Sequence, residues 1–182
     1  MHRILLIDDE PHMLQLLERI ITEKTSYAVK STNSSLEVPQ LLERDTYDLI
    51  ITDLRMPGMD GMEIIDLVQS SRRWEKVVLI TAFGSIDVAL SAQSKGAFDY
   101  ITKPFKKEQI VFVIERAMAF QEMRRELKEY SDIMESESYE VAEIWFKKTF
   151  VIKLAEKFGR NIEKIALATK LPIDEITDIL GE

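Results

Sequence analysis

The sequence predicts an α/β fold, a doubly wound five-stranded parallel sheet, followed by a long helix and a small all-α tail. Three observations carry that reading. Over the first 120 residues, strand signals and helix signals alternate five times. The strand candidates are nearly continuous apolar runs, as strands covered on both faces must be, rather than the alternating pattern of a half-exposed sheet. Residues able to do chemistry fall just after those runs, where open parallel sheets place their ligand crevices.

The first run, Ile4-Leu-Leu-Ile7, ends in Asp8-Asp9-Glu10, and residues 11–23 follow as a helix with Met13, Leu14, Leu17, Ile20 and Ile21 on one face. Residues 27–31 make a weaker strand. Ser34-Ser35 opens a second helix carrying Leu36, Leu41 and Leu42, with Pro39 tolerated in its first turn. Leu49-Ile-Ile-Thr52 is the central strand, and Asp53 follows it just ahead of the turn forced by Met56-Pro57-Gly58. Residues 61–71 supply the third helix, with Met62, Ile65 and Val68 inward. Val77-Val-Leu-Ile80 is another fully apolar strand, ending at Thr81. Residues 85–95 are helical and closed by Gly96, a residue suited to the left-handed end of a helix. Residues 98–101 are the last strand, followed by Thr102-Lys103-Pro104 and a helix from about residue 106.

Composition narrows the functional classes. With 46% hydrophobic and 31% charged residues the chain reads as a soluble globular protein. It has no cysteine, so disulfides, thiolate metal sites and cysteine nucleophiles are all excluded. No run approaches the ~20 apolar residues of a membrane span, and the first apolar run meets acids too soon for a signal peptide. A cytoplasmic protein without a membrane partner is expected. The net charge of −8 argues against nonspecific nucleic-acid binding by the whole molecule.

The predicted topology brings the polar strand ends to one edge: Asp8 and Asp9 from the first strand, Asp53 from the third, Thr81 from the fourth, Lys103 from the fifth. Three neighbouring carboxylates repel one another and call for a hard cation, for which Mg²⁺ is suited. Lys103 adds a fixed positive charge and Thr81 a hydroxyl donor. Around one central carboxylate, Asp53, that is the equipment of phosphoryl transfer, with Asp53 as nucleophile. Each residue alone has a plainer role. Asp8 or Asp9 could cap the helix beginning at Pro11, Asp53 could simply form a turn, Thr81 could be a strand residue and Lys103 a surface charge. Their joint occurrence at four strand ends favours the site.

Ile7-Asp-Asp-Glu10, Thr52-Asp-Leu-Arg-Met-Pro57, Thr81-Ala82 and Lys103-Pro104 match, without gaps inside any motif, the pattern of a response-regulator receiver domain. Residues 3 to about 120 resemble that flavodoxin-like domain, the phosphorylated partner of a sensor histidine kinase in two-component phosphorelay signalling. Thr52-Asp-Leu-Arg-Met-Pro-Gly-Met-Asp-Gly61 and Thr81-Ala-Phe-Gly-Ser85 are similar to the nitrogen-regulation, enhancer-binding type. The resemblance implies Asp53 as phosphoacceptor, Asp9 as a direct Mg²⁺ ligand, Asp8 acting through water, and the Arg55 backbone carbonyl completing the shell. It also implies a switch pair, Thr81 and Tyr100, and no enzymatic activity beyond the domain's own phosphorylation and dephosphorylation. A haloacid-dehalogenase-type phosphatase would want an Asp where Arg55 stands, and a flavin protein would find Asp8-Asp9-Glu10 repelling its phosphate.

Residues 1–120 are thus read as the receiver, 121–138 as a linker helix and 139–182 as a small helical domain. In the linker, Phe120, Met123, Leu127, Tyr130 and Met134 recur at coiled-coil spacing, and Glu135-Ser-Glu-Ser138 marks a boundary. The tail begins with a helix near residues 139–158 presenting Ile144, Val151, Leu154, Ala155 and Phe158. Gly159 breaks it, Asn161 caps a short helix, Lys170-Leu171-Pro172 turns, and residues 173–180 form the last helix. Ile162, Ala166, Leu171, Ile176 and Leu180 fall on the apolar positions of a Fis-type helix-turn-helix, which the tail resembles. No phosphate-binding Gly-rich loop occurs in the sequence. A homodimer is expected, because 44 residues are too few to cover the tail's own apolar surface. DNA is the alternative partner. It is disfavoured by the last stretch, 171–182, which holds four acids and no Lys or Arg, and by seven basic against eight acidic residues over 139–182.

Overall fold

The computed structural model describes residues 2–71, 73–82, 85–134 and 138–181, with the side chains of 129, 130 and 132–134 outside that description. The expected strands become β1 (Arg3–Ile7), β2 (Ala28–Thr32), β3 (Leu49–Asp53), β4 (Lys76–Thr81) and β5 (Asp99–Thr102), all parallel, in the order β2-β1-β3-β4-β5. Helices α1 (Pro11–Lys24), α2 (Val38–Arg44), α3 (Gly61–Ser70), α4 (Ile86–Ser94) and α5 (Lys107–Met134) make the crossovers and the exit.

The period of two along each strand decides which residues meet which layer. Ile4, Leu6, Leu49, Ile51, Val78 and Ile80 pack with α1 and α5, while Leu5, Ile7, Ile50, Val77 and Leu79 pack with α2, α3 and α4. Each such side chain, removed from water, contributes roughly 1.5–3 kcal/mol. Three layers are the result, as expected for strands apolar on both faces.

Three local features differ from the expectation. The second helix does not run from Ser34. A 3₁₀ turn at Ser35–Glu37 precedes α2 because Pro39, lacking an N–H, cannot bond back to the Ser35 carbonyl. Leu36 is consequently turned outward at 68% exposure, and Val38 takes the buried place. In α3 the buried pair is Ile64 and Ile65, with Met62 only packed against the cluster.

The tail has its own elements, α6 (Tyr139–Phe158), α7 (Ile162–Thr169) and α8 (Ile173–Leu180). Gly159 ends α6 in the left-handed region (φ 59°), and the Asn161 side chain accepts from the Lys164 N–H to start α7. Val151, Ala155, Ile165 and Ile176 form its buried centre, with Leu154, Phe158, Ile162, Ala166, Leu171 and Leu180 packed around them. Ile144, expected on the core face, is exposed instead, at the rim of an open groove between α6 and α8.

The chain divides into two compact units, Met1–Met123 and Arg124–Glu182, the division falling within α5. In the first unit the buried Gln121 side chain donates to the carbonyls of Asp48 and Trp74, each at 2.7 Å, fastening α5 to the sheet. Phe120, the first residue of the coiled-coil pattern, is also engaged there. Its ring lies edge-on to Phe98 (6.0 Å) and under the Lys76 ammonium (4.0 Å). Met123 and Leu127 are exposed, and the Tyr130 and Met134 side chains lie outside the described residues, as do residues 135–137 of the expected boundary. Among the described residues no helix is long and apolar enough to cross a membrane.

Candidate functional site

Parallel register carries the strand ends to one edge. Ile7 pairs with Thr52, Asp53 with Ile80 and Thr81 with Thr102, so that Asp8, Asp53, Thr81 and Lys103 emerge together. The Lys103 backbone N–H donates to the Thr81 carbonyl at 2.8 Å, fixing where the lysine leaves the sheet. Its ammonium then donates to Asp53 Oδ1 at 2.7 Å and to Asp8 Oδ2 at 3.2 Å.

Each carboxylate has a second anchor. Asp8 Oδ1 accepts from the Glu10 N–H at 2.9 Å, and Asp53 Oδ2 accepts from the Arg55 N–H at 2.7 Å. Asp8 therefore does not cap α1, whose N-cap residue is Glu10. Asp8 is only 2% exposed, Asp53 is buried, Thr81 is fully buried, and Asp9 and Arg55 are exposed. Among the described residues, no three His, Cys, Asp or Glu side chains gather closely enough to hold a metal ion by themselves, so Asp9 does not close onto Asp8 and Asp53.

The electrostatics follow from burial. Burial pushes the Asp8 carboxyl above the ordinary aspartate value, against the Glu10 N–H and the Lys103 ammonium, which pull it down. Burial is also the largest single influence on Lys103 and opposes its charge, but Asp53 and Asp8 together outweigh it and hold the ammonium above the ordinary lysine value. The edge thus carries a firmly protonated lysine shared by two acids.

Tyr100 lies on β5, opposite Leu79, half-buried against the cluster under α3 and α4. It lines a groove with Ala89, Gln93, Ala97, Phe98 and Asp99, and burial raises its phenol above the usual tyrosine value. Thr81 sits two positions further along the neighbouring strand from Leu79.

Residues outside the expected site hold the loop after Asp53 in place. Ser35 Oγ donates to the Pro57 carbonyl and accepts from the Met59 N–H, both at 2.8 Å. Gly58 has φ 89°, and a Cβ on it would come within 2.9 Å of Leu36. At Gly61 a Cβ would lie 2.6 Å from the Asp53 carbonyl oxygen, so only glycine lets α3 approach the strand end this closely. Asp60 and Glu63 form a reciprocal capping box at the start of α3. The Asp-x-x-Glu spacing at 60–63 was a readable sign of that cap, whereas the Ser35 brace joins residues more than 20 positions apart and leaves no local trace.

Comparison with known proteins meets the same segment. The family profile described as "Response regulator receiver domain" matches residues 4–115. The transcriptional regulatory protein GlrR of Escherichia coli (strain K12) is 37% identical over 115 residues, covering 63% of this chain and 26% of that protein. The DNA-binding transcriptional regulator NtrC of the same strain is 33% identical over 120 residues, covering 65% and 25%. The chain thus spans about a quarter of the length of these relatives. Among solved structures, a response regulator receiver domain protein from Clostridium thermocellum superposes with a TM-score of 0.62 at 30% identity, covering 68% of this chain and 98% of that one.

Proposed function

This chain belongs to the response regulator receiver family, and on that premise we propose that it accepts a phosphoryl group on Asp53 from a sensor histidine kinase and relays the change to its C-terminal helices. The supporting observation is the setting of Asp53. It stands at the end of the central strand with one oxygen on the Lys103 ammonium and the other on the Arg55 N–H.

In the proposed step, an Asp53 oxygen attacks the phosphorus of a phosphohistidine. The P–O bond forms as the P–N bond breaks, and the imidazole leaves with the electron pair. Such a reaction asks the protein mainly for position and charge neutralisation. Lys103 would hold Asp53 in place beforehand and meet a phosphoryl oxygen afterwards. The Thr81 hydroxyl would donate to another, and Tyr100 would turn inward behind it as the second half of the switch. Beyond its own phosphorylation and dephosphorylation, no catalysis is proposed for the chain.

The donors at this edge are carboxylate and carbonyl oxygens, which fits a hard divalent cation such as Mg²⁺. Asp8, Asp9, Asp53 and the Arg55 backbone carbonyl are the residues we assign to hold it, where it supplies positive charge against the phosphoryl oxygens. Asp9, exposed and set apart from the other two, would have to draw in when the ion binds.

For the output we propose a cytoplasmic homodimer whose tail is an interaction and dimerisation module. The alternative, a DNA-binding regulator, is what the name of the relative NtrC says of that protein. Here the last helix would bring Asp174, Glu175 and Asp178 toward phosphates, where nucleic-acid readers place Lys and Arg. Of the lysines on α6 that could form a separate basic face, Lys147 is already paired with Glu175 at 2.8 Å.

The test treats the full chain with a small phosphodonor and Mg²⁺ and measures intact mass. One phosphoryl adduct is expected, absent in Asp53→Ala; an equal adduct on that variant overturns the assignment. The phosphorylated sample, mixed with DNA at low salt, should show no sequence-selective mobility shift. Sub-micromolar retention of one sequence over competitor would restore the DNA-binding reading.

A further inference from the structure

The helix α6 is apolar on more sides than α7 and α8 cover. Its inward face holds Val151 and Ala155, yet Tyr139, Phe146 and Phe150 on another face are 81%, 62% and 44% exposed. The two phenylalanine rings stack on each other, 5.8 Å apart and 7° from parallel, forming one flat apolar plate. A helix with apolar residues around its whole circumference is a buried helix in its working state.

Charge says what covers the plate. Along that face run Tyr139, Glu143, Phe146, Phe150, Lys153 and Lys157, spaced by steps of four, three, four, three and four, the seam of a helix that packs against another. All six fall within an arc of about 80° on the helix. Acid lies at one end, bases at the other and the aromatic plate in the middle. The pairs Tyr139 and Lys157, Glu143 and Lys153, and Phe146 and Phe150 are each centred on residue 148. An antiparallel copy of the same face is therefore its complement: Glu143 meets Lys153, Phe146 meets Phe150, and Tyr139 meets Lys157, each pair occurring twice. A parallel copy would set Glu143 against Glu143 and Lys153 against Lys153, which is repulsive.

We infer that α6 pairs antiparallel with α6 of a second copy of this chain, about a two-fold axis at residue 148, through the Tyr139, Phe146 and Phe150 face. The proposal rests on the homodimer reading above and gives it a face and an orientation. It leaves Lys147 with Glu175 and involves none of the residues at the phosphoacceptor edge.

A charge-exchange cycle on the full chain, followed by sedimentation equilibrium, decides it. Glu143→Lys and Lys153→Glu should each weaken the dimer on the order of ten-fold, since each turns two attractions into two repulsions. The double variant Glu143→Lys/Lys153→Glu should return to within about three-fold of the starting affinity. Phe150→Glu should weaken the dimer on the order of a hundred-fold. The paired substitution Val141→Glu/Ile152→Glu, on a different face of α6, should leave it within about three-fold. If Phe150→Glu loses helix content by circular dichroism, the charge cycle still gives the answer. A wild-type chain that stays monomeric overturns both this proposal and the homodimer reading. A wild-type dimer indifferent to the charge exchange, or broken only through Val141 and Ile152, overturns the face and orientation alone. Neither result touches phosphorylation of Asp53, which intact mass reads independently.

Discussion

Among the described residues of the unit that ends at Met123, two clusters of 16 and 13 buried apolar residues lie on the two faces of the sheet, whereas those of the unit from Arg124 form one cluster of four. The first unit can afford buried polar groups at its rim, Asp8, Asp53 and Thr81 among them, because the cores behind them supply the stability. The second has no such reserve and leaves Tyr139, Ile144, Phe146 and Phe150 facing outward. The difference teaches where each kind of function can live: chemistry that needs a fixed geometry on the large core, association on the small one.

Core substitutions should break the comparison most forcefully if it is mistaken. Ile64→Ala in the first unit should cost about 3 kcal/mol, within the range for a buried aliphatic truncation. Ile165→Ala, in a core of four, should leave the second unit without a cooperative transition while sparing the first. The chain's two tryptophans, Trp74 and Trp145, fall one in each unit, so denaturation of Trp74→Phe and Trp145→Phe backgrounds reports them separately. The transition reported by Trp145 should also move with protein concentration, as expected for an element completed by a partner. Coincident, concentration-independent transitions would show one cooperative body instead of two.

A smaller effect should come from Asp8. Its carboxyl is raised above the ordinary value in the folded state, chiefly by burial, so the folded chain holds that proton more tightly than the unfolded chain. Ionised Asp8 therefore costs stability above its raised folded value, and the cost fades as pH falls toward the ordinary value of 3.8. Asp8→Asn should raise the denaturation midpoint at pH 7 and lose that advantage through the acidic range, while slowing uptake of the phosphoryl group. A variant less stable than the parent at pH 7 would mean that attraction to Lys103 outweighs burial.

Asp60→Ala should be the mildest. Loss of the capping box at α3 should cost about 1 kcal/mol, read on the Trp74 transition with the Trp145 transition unchanged. An equal shift in both would again argue against two independent units.

Much of this was legible in the chain. Short apolar runs gave β1, β3 and β4, because a strand covered on both faces cannot tolerate polar residues, whereas the edge strands β2 and β5 carry Lys30 and Asp99 and signal more weakly. Glycine and proline marked the ends of α4, α6 and α7 closely. The start of α2 is less legible, because Pro39 suits a first turn by its fixed φ and yet removes the donor that a helix from Ser35 would need. The exposure of Ile144 is not legible either, because periodicity names a face but not how far the neighbouring helices reach along it.

By itself the sequence determined the order of elements, the parallel sheet and the identity of the polar residues at its edge. These are local consequences of hydrophobic period, turn residues and right-handed crossover. Only the tertiary structure decided how those residues are tied. One ammonium, Lys103, bridges Asp8 and Asp53 from 95 and 50 positions away, while Asp9, adjacent in sequence, stands outside. It likewise showed that the α6 plate is left uncovered. Hydrogen bonds and burial depend on which distant segments arrive in space, and no local pattern along the chain encodes that arrival.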